Sequence, residues 1–140
     1  MKKTTNKILS DKKDLRWRQR FQNYTNSFEA LKRGVEIENP SETERGGIIQ
    51  FYEVTFELAR KMIKDYLESE GYLMKSPRET IKQAFQNGII EDGEMWLEAL
   101  DDRNLTTHIY DSEIANKIVH LIKTEYFFLL KNLHLYFSSK

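Results

Sequence analysis

Cysteine is absent from this 140-residue chain, and its absence excludes several kinds of chemistry together. The chain can have no disulfide framework, no thiolate nucleophile and no cysteine-ligated zinc site. A chain without cysteine is also compatible with a reducing compartment. We therefore expect a cytoplasmic protein.

An excess of either charge is also missing, because 22 Lys and Arg residues balance 22 Asp and Glu residues. No global basic field indicates nucleic-acid binding, although a local basic patch is compatible with this balance. The N-terminal stretch MKKTTNKILSDKKD is basic but has no apolar core, so we do not read it as a signal peptide. The most apolar stretch is interrupted by Lys123, Glu125 and Lys131, which argues against a membrane span.

Alternation of polar and apolar residues, which is typical of strands, does not occur over a useful length, and no repeat is found. The composition, 39% hydrophobic and 31% charged, is that of an ordinary globular domain. The length suits one domain. We predict an all-α protein with a flexible N-terminal tail over residues 1–13 and a single helical-bundle domain over residues 14–140.

The first two helices are predicted from apolar spacing and from end signals. The first carries apolar residues spaced alternately by four and three positions: Trp17, Phe21, Tyr24, Phe28 and Leu31. Gly34 follows, where a helix would stop. Ser41 and Glu44 form the capping-box pattern of a second, long helix that should end at Gly71.

Two short helices and a last long one complete the predicted bundle. Ser76 and Glu79 form a second capping box, which begins a short helix with Ile81, Ala84 and Phe85 facing inward. Another short helix begins near Asp92.

Asp111 or Ser112 caps the last helix, which is apolar on more than one side. Aromatic residues off its main face include Tyr126, Phe127 and Phe128. We interpret this surplus as a surface that another subunit could cover.

The segment RNLTTHIY, residues 103–110, falls between the fourth and fifth helices and combines Arg103, Asn104, His108 and Tyr110. Arg103 offers a planar cationic fork for phosphate oxygens, and histidine, the residue type at position 108, is a common general acid or base in catalysis. Asn104 could orient either one. Together they suggest metal-free phosphodiester chemistry. In one uninterrupted helix, Arg103 and His108 would point about 140° apart, so a break in the backbone or a shared groove is required.

Simpler interpretations of the same residues stay open. Arg103 could pair with Asp101 or Asp102, and His108 could cap a helix end. His108 and Asp111 could touch a metal, but two ligands without a third do not make a site. We therefore expect no metal and no cofactor.

Other polar groups give weaker signals. We read His120 and His134 as partly buried packing residues rather than ligands. Arg16, Arg18 and Arg20 with Trp17 could form a nucleic-acid patch, or simply the solvated face of a helix.

Four stretches of the chain carry a resemblance to a known family. They are LRWRQRFQNY, IQFYEVTFELARKMIKDYLESEGY, SPRETIKQAFQNGIIEDGEMWLEALDDRNLTTHIYD and the aromatic last helix. From about Leu15 to the C-terminus, the chain resembles the nucleotidyltransferase substrate-binding proteins, a bacterial and archaeal branch of the HEPN superfamily.

This resemblance implies a four- or five-helix up-and-down bundle that dimerises and works with a small nucleotidyltransferase. The pair is similar to a toxin–antitoxin module. In the superfamily, an R-polar-x3–5-H motif forms a metal-independent ribonuclease site at the dimer cleft, and Arg103, Asn104 and His108 match it. In some members the partner adds adenylate to a Tyr two positions after the His, the position of Tyr110.

Three functions therefore compete at this stage. The chain could be a substrate-binding, accessory subunit of a nucleotidyltransferase. It could also be a ribonuclease toxin that acts on RNA, or a structural protein whose motif has decayed.

Overall fold

The computed structural model describes residues 2–140, with side chains described for Lys12 and for residues 14–140. The helices are α1 (Lys2–Val35), α2 (Glu42–Ser69), α3 (Pro77–Gln86), α4 (Gly93–Asp101), α5 (Ser112–Leu121) and α6 (Phe127–Ser138). A 3-10 turn, Leu105–His108, lies between α4 and α5, and a π-helical turn, Ile122–Tyr126, joins α5 to α6 without interruption. No strand occurs in residues 2–140, which confirms the all-α prediction.

The backbone of α1 begins at Lys2, within the segment that the sequence predicts as a flexible tail. The side chains of residues 1–11 and 13 lie outside the described residues. Flexibility over residues 1–13, and the domain boundary at residue 14, stay predictions. None of the described helices combines enough length with enough apolar character to cross a membrane.

The antiparallel pair α1 and α2 forms the largest packed layer. Trp17 meets Tyr66 edge-on at a ring distance of 5.3 Å. Farther along α1, the Ser27 hydroxyl is hydrogen-bonded to Thr55 at 2.6 Å. At the far end, a Cβ on Gly34 would lie only 2.9 Å from Ile48. Residue numbers rise along α1 as they fall along α2, so the two helices run in opposite directions.

The last helix closes the bundle against both of these helices. The ring of Phe127 stacks on Phe28 at 5.4 Å, and the Tyr24 hydroxyl donates to the Leu130 carbonyl at 2.6 Å. Phe137 lies 5.3 Å from the Trp17 ring at the other end. Each fully buried side chain of this size contributes roughly 1.5–3 kcal/mol. The aromatic core therefore fixes the direction of α6 as antiparallel to α1.

Helix starts follow the end signals in the sequence, with one difference. The predicted box at Ser41 is complete, since Ser41 and Glu44 bond each other's backbone N–H. At α3, Ser76 accepts from the Glu79 N–H at 3.1 Å, but the Glu79 carboxylate accepts from the N–H of Lys75. The second capping box is therefore only half formed, because that carboxylate bonds one residue earlier.

Two predicted inward positions are wrong. Phe85 is 52% exposed, because the face of the short helix α3 that meets the core carries Thr80, Ile81 and Ala84. Phe85 lies outside that face, against Gly93. His120 is exposed on α5 rather than partly buried.

A π-helical turn lies within the stretch of surplus aromatic residues predicted on the last helix, and two of those residues are buried within the chain. A π turn contains one more residue than an α turn, so it rotates the side chains that follow it. Tyr126 and Phe127 are buried within the chain itself. The large side chains left clearly exposed on α6 are Phe128 and Leu135.

Candidate functional site

The backbone leaves the helical path between Arg103 and His108. Helix α4 ends at Asp101, and Asn104 has φ −95° and ψ 46°, outside the α-helical region. The 3-10 turn begins at Leu105. Arg103 and His108 are therefore not on one straight helix. The break that the phosphate hypothesis requires is present.

One side of this segment is anchored on α2. Leu105 is buried, and the backbone N–H of Thr106 donates to the Glu53 carboxylate at 2.6 Å. The Ile109 side chain lies beside the start of α2, 3.7 Å from the position of a Cβ on Gly46. The 3-10 turn is thus held by one apolar side chain, one charge-assisted hydrogen bond and one van der Waals contact.

The four predicted site residues lie on the opposite, exposed side of the same segment. Arg103, Asn104 and His108 are exposed, and Tyr110 is 85% exposed. Among the described side chains, those of Arg103 and His108 form no ion pair within 4 Å and no hydrogen bond. The guanidinium of Arg103 and the imidazole of His108 are therefore both exposed to solvent, five positions apart in the sequence, and neither has a partner among the described side chains.

The simpler interpretations of these residues do not match the geometry. Asp101 forms an ion pair with Arg78 at 2.9 Å, and Asp102 accepts from the Tyr126 hydroxyl at 2.7 Å. Both carboxylates that could have paired with Arg103 are engaged elsewhere. His108 contributes its carbonyl, which accepts from the Asp111 N–H at 3.1 Å, while its ring caps no helix end.

The charge of Arg103 reaches across to α2. The pKa of Glu57 is lowered chiefly by the hydrogen bond from Arg60, with a smaller contribution from the charge of Arg103. The charge of the Arg103 guanidinium therefore acts on the half-buried carboxylate of Glu57 in α2. Lys61 adds to the same effect.

Two stacked tyrosines, Tyr52 and Tyr126, lie beside the start of the segment 103–110. The Tyr126 ring stacks on Tyr52 at 5.5 Å, and its hydroxyl holds Asp102. Burial raises the pKa of both phenols, and the charge of Asp102 raises them further. Both hydroxyls therefore stay protonated near neutral pH. Within the described residues the Tyr52 hydroxyl has no hydrogen-bond partner.

Sequence reasoning missed Glu53 and Tyr126 as supports of this segment. Glu53 lies 53 positions before Thr106, and Tyr126 lies 24 positions after Asp102. No local spacing rule connects residues so far apart. The aromatic surplus of the last helix was the one available signal for Tyr126.

The other residues that the sequence suggested as binding residues make contacts within the chain itself. His134 stacks on Phe28 at 5.1 Å, and burial lowers its pKa, so the packing interpretation of this residue is confirmed. The nucleic-acid patch on α1 is wrong for Trp17, which is buried, while Arg18 pairs with Asp14 and Arg20 with Asp65.

Metal-binding geometry is not found in the described part of the chain, where no three His, Asp or Glu side chains come together as a ligand group. The Asp111 carboxylate caps α5 by accepting from the N–H groups of Glu113 and Ile114 at 3.1 and 3.2 Å. That role explains the carboxylate beside His108 without a metal.

Comparisons with known proteins agree on one family. The model of the family described as "Nucleotidyltransferase substrate binding protein like" matches residues 19–138. The Haemophilus influenzae protein HI0074, whose structure is described as revealing the fold of a substrate-binding domain of a nucleotidyltransferase, is similar with a TM-score of 0.75 at 25% identity. That similarity covers 84% of this chain and 98% of HI0074.

Two further proteins are similar to this chain. A crystal structure of a Thermus thermophilus protein gives a TM-score of 0.71 at 33% identity, over 79% of this chain and 94% of that protein. A Haemophilus influenzae protein named "Probable ribonuclease HepT" is 32% identical over 74 residues, which are 49% of this chain. The matched part spans 51% of that relative, about half its length.

Proposed function

Because this chain belongs to the nucleotidyltransferase substrate binding protein like family, we propose that it is the substrate-binding, accessory subunit of a two-component nucleotidyltransferase. The single observation that carries this proposal is the family match, which runs from α1 to the end of α6. The partner would be a small nucleotidyltransferase that binds the nucleotide and its metal ion. In this role the chain is the toxin-like half of a toxin–antitoxin pair.

Co-expression with a small nucleotidyltransferase from the same genome tests this role. We expect a complex that survives affinity purification and gel filtration. A nucleotidyltransferase of an unrelated family, with the same tag, serves as the control and should not co-purify. Separate elution of the two proteins at micromolar concentration would contradict the proposal.

A second candidate function, a metal-independent ribonuclease, is favoured by the free and exposed side chains of Arg103 and His108. In this reaction the His108 imidazole takes the proton of an RNA 2′-hydroxyl, and the 2′-oxygen attacks the adjacent phosphorus. Arg103 stabilises the charge on the phosphorane oxygens, and Asn104 orients one of them. The 5′-oxygen leaves with a proton taken from solvent, and His108 returns its proton to solvent, which gives a 2′,3′-cyclic phosphate and a 5′-hydroxyl.

A homodimer would complete this site. In a two-fold dimer the same segment of each subunit can face its copy, so that one subunit's Arg103 serves the other's His108. This arrangement removes the need for both side chains of one chain to converge. It also predicts that dilution below the dimer dissociation constant abolishes cleavage.

Cleavage of a labelled RNA in EDTA tests the ribonuclease. Wild-type protein should cut, His108→Ala should not, and Arg103→Ala should be slower by about two to three orders of magnitude. His120→Ala is the matched control, since His120 is an exposed histidine outside the segment, and its rate should be unchanged. Equal rates of RNA cleavage by His108→Ala and by the wild-type protein would contradict the ribonuclease proposal.

We propose that attachment of adenylate to Tyr110 switches off the ribonuclease activity. Its phenol is 85% exposed, so an enzyme can reach it. The phenolic oxygen would attack the α-phosphorus of ATP bound by the partner, pyrophosphate would leave, and the phenolic proton would pass to solvent. The attached adenylate would then stand two positions from His108 and block RNA.

Intact-mass measurement after co-expression tests this modification. We expect a gain of about 329 Da, which is AMP minus water on the phenolic hydroxyl. The gain should vanish in Tyr110→Phe and persist in Tyr72→Phe, a control at a second exposed tyrosine. Adenylate on the Tyr110→Phe protein would exclude this residue as the acceptor.

A further inference from the structure

A groove of about 680 Å³ lies between the α3–α4 connection and the last helix. Its floor includes Trp96, Leu129 and Leu133, all of which are buried. One wall presents Phe128, 48% exposed, and Leu135, 59% exposed, on the same stretch of helix. The groove therefore offers apolar surface to solvent within a well-packed part of the bundle.

Carboxylates surround this apolar surface. Glu91, Asp92 and Glu125 line the groove, and a neighbouring cavity of about 520 Å³ shares Glu91 and Asp92 and adds Glu94. Asp92 caps α4 by accepting from the Met95 N–H. In the described part of the chain Glu91, Glu94 and Glu125 form no ion pair.

Lys82, in the neighbouring cavity, is the one cationic side chain among the lining residues of these two depressions. The lining residues therefore carry more acidic than basic groups, although the whole chain has no net charge. Lys140 adds one cation at the Tyr136 end of the groove, with its Nζ 4.8 Å from the Tyr136 ring.

We propose that this groove binds a basic amphipathic helix of a partner protein. Phe128 and Leu135 are seven positions apart, so they stand two turns apart on one side of α6, about 10 Å along its axis. A docked helix with apolar residues at positions i, i+4 and i+7 would fill the space between them. Lys and Arg residues flanking that apolar stripe would meet Glu91, Glu94 and Glu125.

The same charges disfavour the other occupants. In a two-fold homodimer through this face, each set of carboxylates would approach its own copy, and like charges in contact are repulsive. RNA would bring phosphates to an acidic rim. The groove residues include none of the residues 103–110, so the inference does not depend on either proposed activity.

A defined peptide tests the groove directly. The probe is a fluorescein-labelled peptide of about 18 Leu and Lys residues in amphipathic helical order, long enough to span the groove. We expect saturable binding to the full chain by fluorescence anisotropy. Glu91→Lys/Glu125→Lys should weaken it at least about tenfold through charge reversal. Leu135→Ser should weaken it through loss of an apolar contact.

Two matched variants and a matched peptide serve as controls for non-specific binding. Glu36→Lys/Glu38→Lys reverses two exposed charges elsewhere, and Leu15→Ser removes another exposed apolar side chain, so both should bind the peptide as wild type does. A peptide with Glu in place of Lys should not bind. Circular dichroism tests whether each variant is folded. If Leu135→Ser does not fold, the double variant Glu91→Lys/Glu125→Lys decides the outcome.

Three results would overturn the inference. The first is no binding of the Lys peptide to the wild-type chain. The second is equal binding by wild type and Glu91→Lys/Glu125→Lys. The third is a difference in sedimentation between the wild-type chain and Leu135→Ser, each measured without peptide. Such a difference would show that this face is a contact between copies of the chain.

Discussion

The Glu53 carboxylate, on α2, accepts a 2.6 Å hydrogen bond from the backbone N–H of Thr106, within the turn that presents Arg103 and His108. This bond joins the candidate site to the longest fully described helix of the bundle. Hydrogen bonds from a backbone N–H to a carboxylate are stronger than hydrogen bonds between two neutral groups. One of the contacts that hold the exposed segment therefore comes from a residue far from it in the sequence.

Replacement of Glu53 should loosen the segment without unfolding the bundle. A hydrogen bond to a charged group contributes about 1.5–3 kcal/mol, so Glu53→Ala should lower the local stability of the turn by up to that amount. Hydrogen exchange of the Thr106 amide should accelerate, while amides in the middle of α2 should not change. Glu53→Gln keeps an acceptor and should give a smaller effect. Unchanged protection of Thr106 in Glu53→Ala would contradict this role.

Removal of the Tyr126 hydroxyl should lower the unfolding free energy by up to about 1.5–3 kcal/mol, because the exposed Asp102 carboxylate loses its hydrogen-bond donor. Tyr126→Phe keeps the ring stacked on Tyr52, so only the polar contact is lost. Urea unfolding of Tyr126→Phe and of the exposed control Tyr72→Phe measures the difference. Equal midpoints for wild type and both variants would show that the bond to Asp102 adds nothing.

Alkaline pH should destabilise the protein through Tyr24. Burial raises the pKa of Tyr24 well above its ordinary value, and its hydroxyl donates to the Leu130 carbonyl. The neutral phenol is thus favoured in the folded state. Its stabilising contribution is complete below the unfolded pKa of about 10, and it is lost as pH rises toward the folded pKa.

The unfolding free energy should therefore fall above about pH 10, and it should fall less steeply in Tyr24→Phe. Urea unfolding at a series of pH values measures both slopes. Tyr52 and Tyr126 act in the same direction, so some slope should remain in the variant. Identical slopes would assign the alkaline sensitivity to other groups.

Substitution by alanine should change the stability of the protein in opposite directions at Gly34 and Gly47. A Cβ on Gly34 would lie 2.9 Å from the buried Ile48 side chain, whereas a Cβ on Gly47 would meet nothing within 4 Å. Gly47→Ala should raise stability by about 0.5–1 kcal/mol, because alanine favours the helix. Gly34→Ala should lower it, since Ile48 must move. Thermal melts of the two variants compare them, and a stabilised Gly34→Ala would refute the close contact.

Local interactions made part of this protein predictable. The capping box of Ser41 and Glu44 forms as its spacing indicates, because the bonded groups are three residues apart. The apolar face of α1 from Trp17 to Leu31 is buried at four of its five positions for the same kind of reason. The break before His108 also follows from residues near it, since Thr106 and Thr107 are weak helix formers and Asp111 caps the next helix.

The amino-acid sequence by itself determined the helical class, the starts of α2 to α5 and the composition of the exposed segment, since these depend on groups a few positions apart. Only the tertiary structure decided that Glu53 and Tyr126 support this segment, that Asp101 and Asp102 leave Arg103 unpaired, and that Phe127 is buried against Phe28. These features depend on how separate helices pack, and their free energies come from contacts between residues dozens of positions apart. No spacing along the chain encodes such contacts.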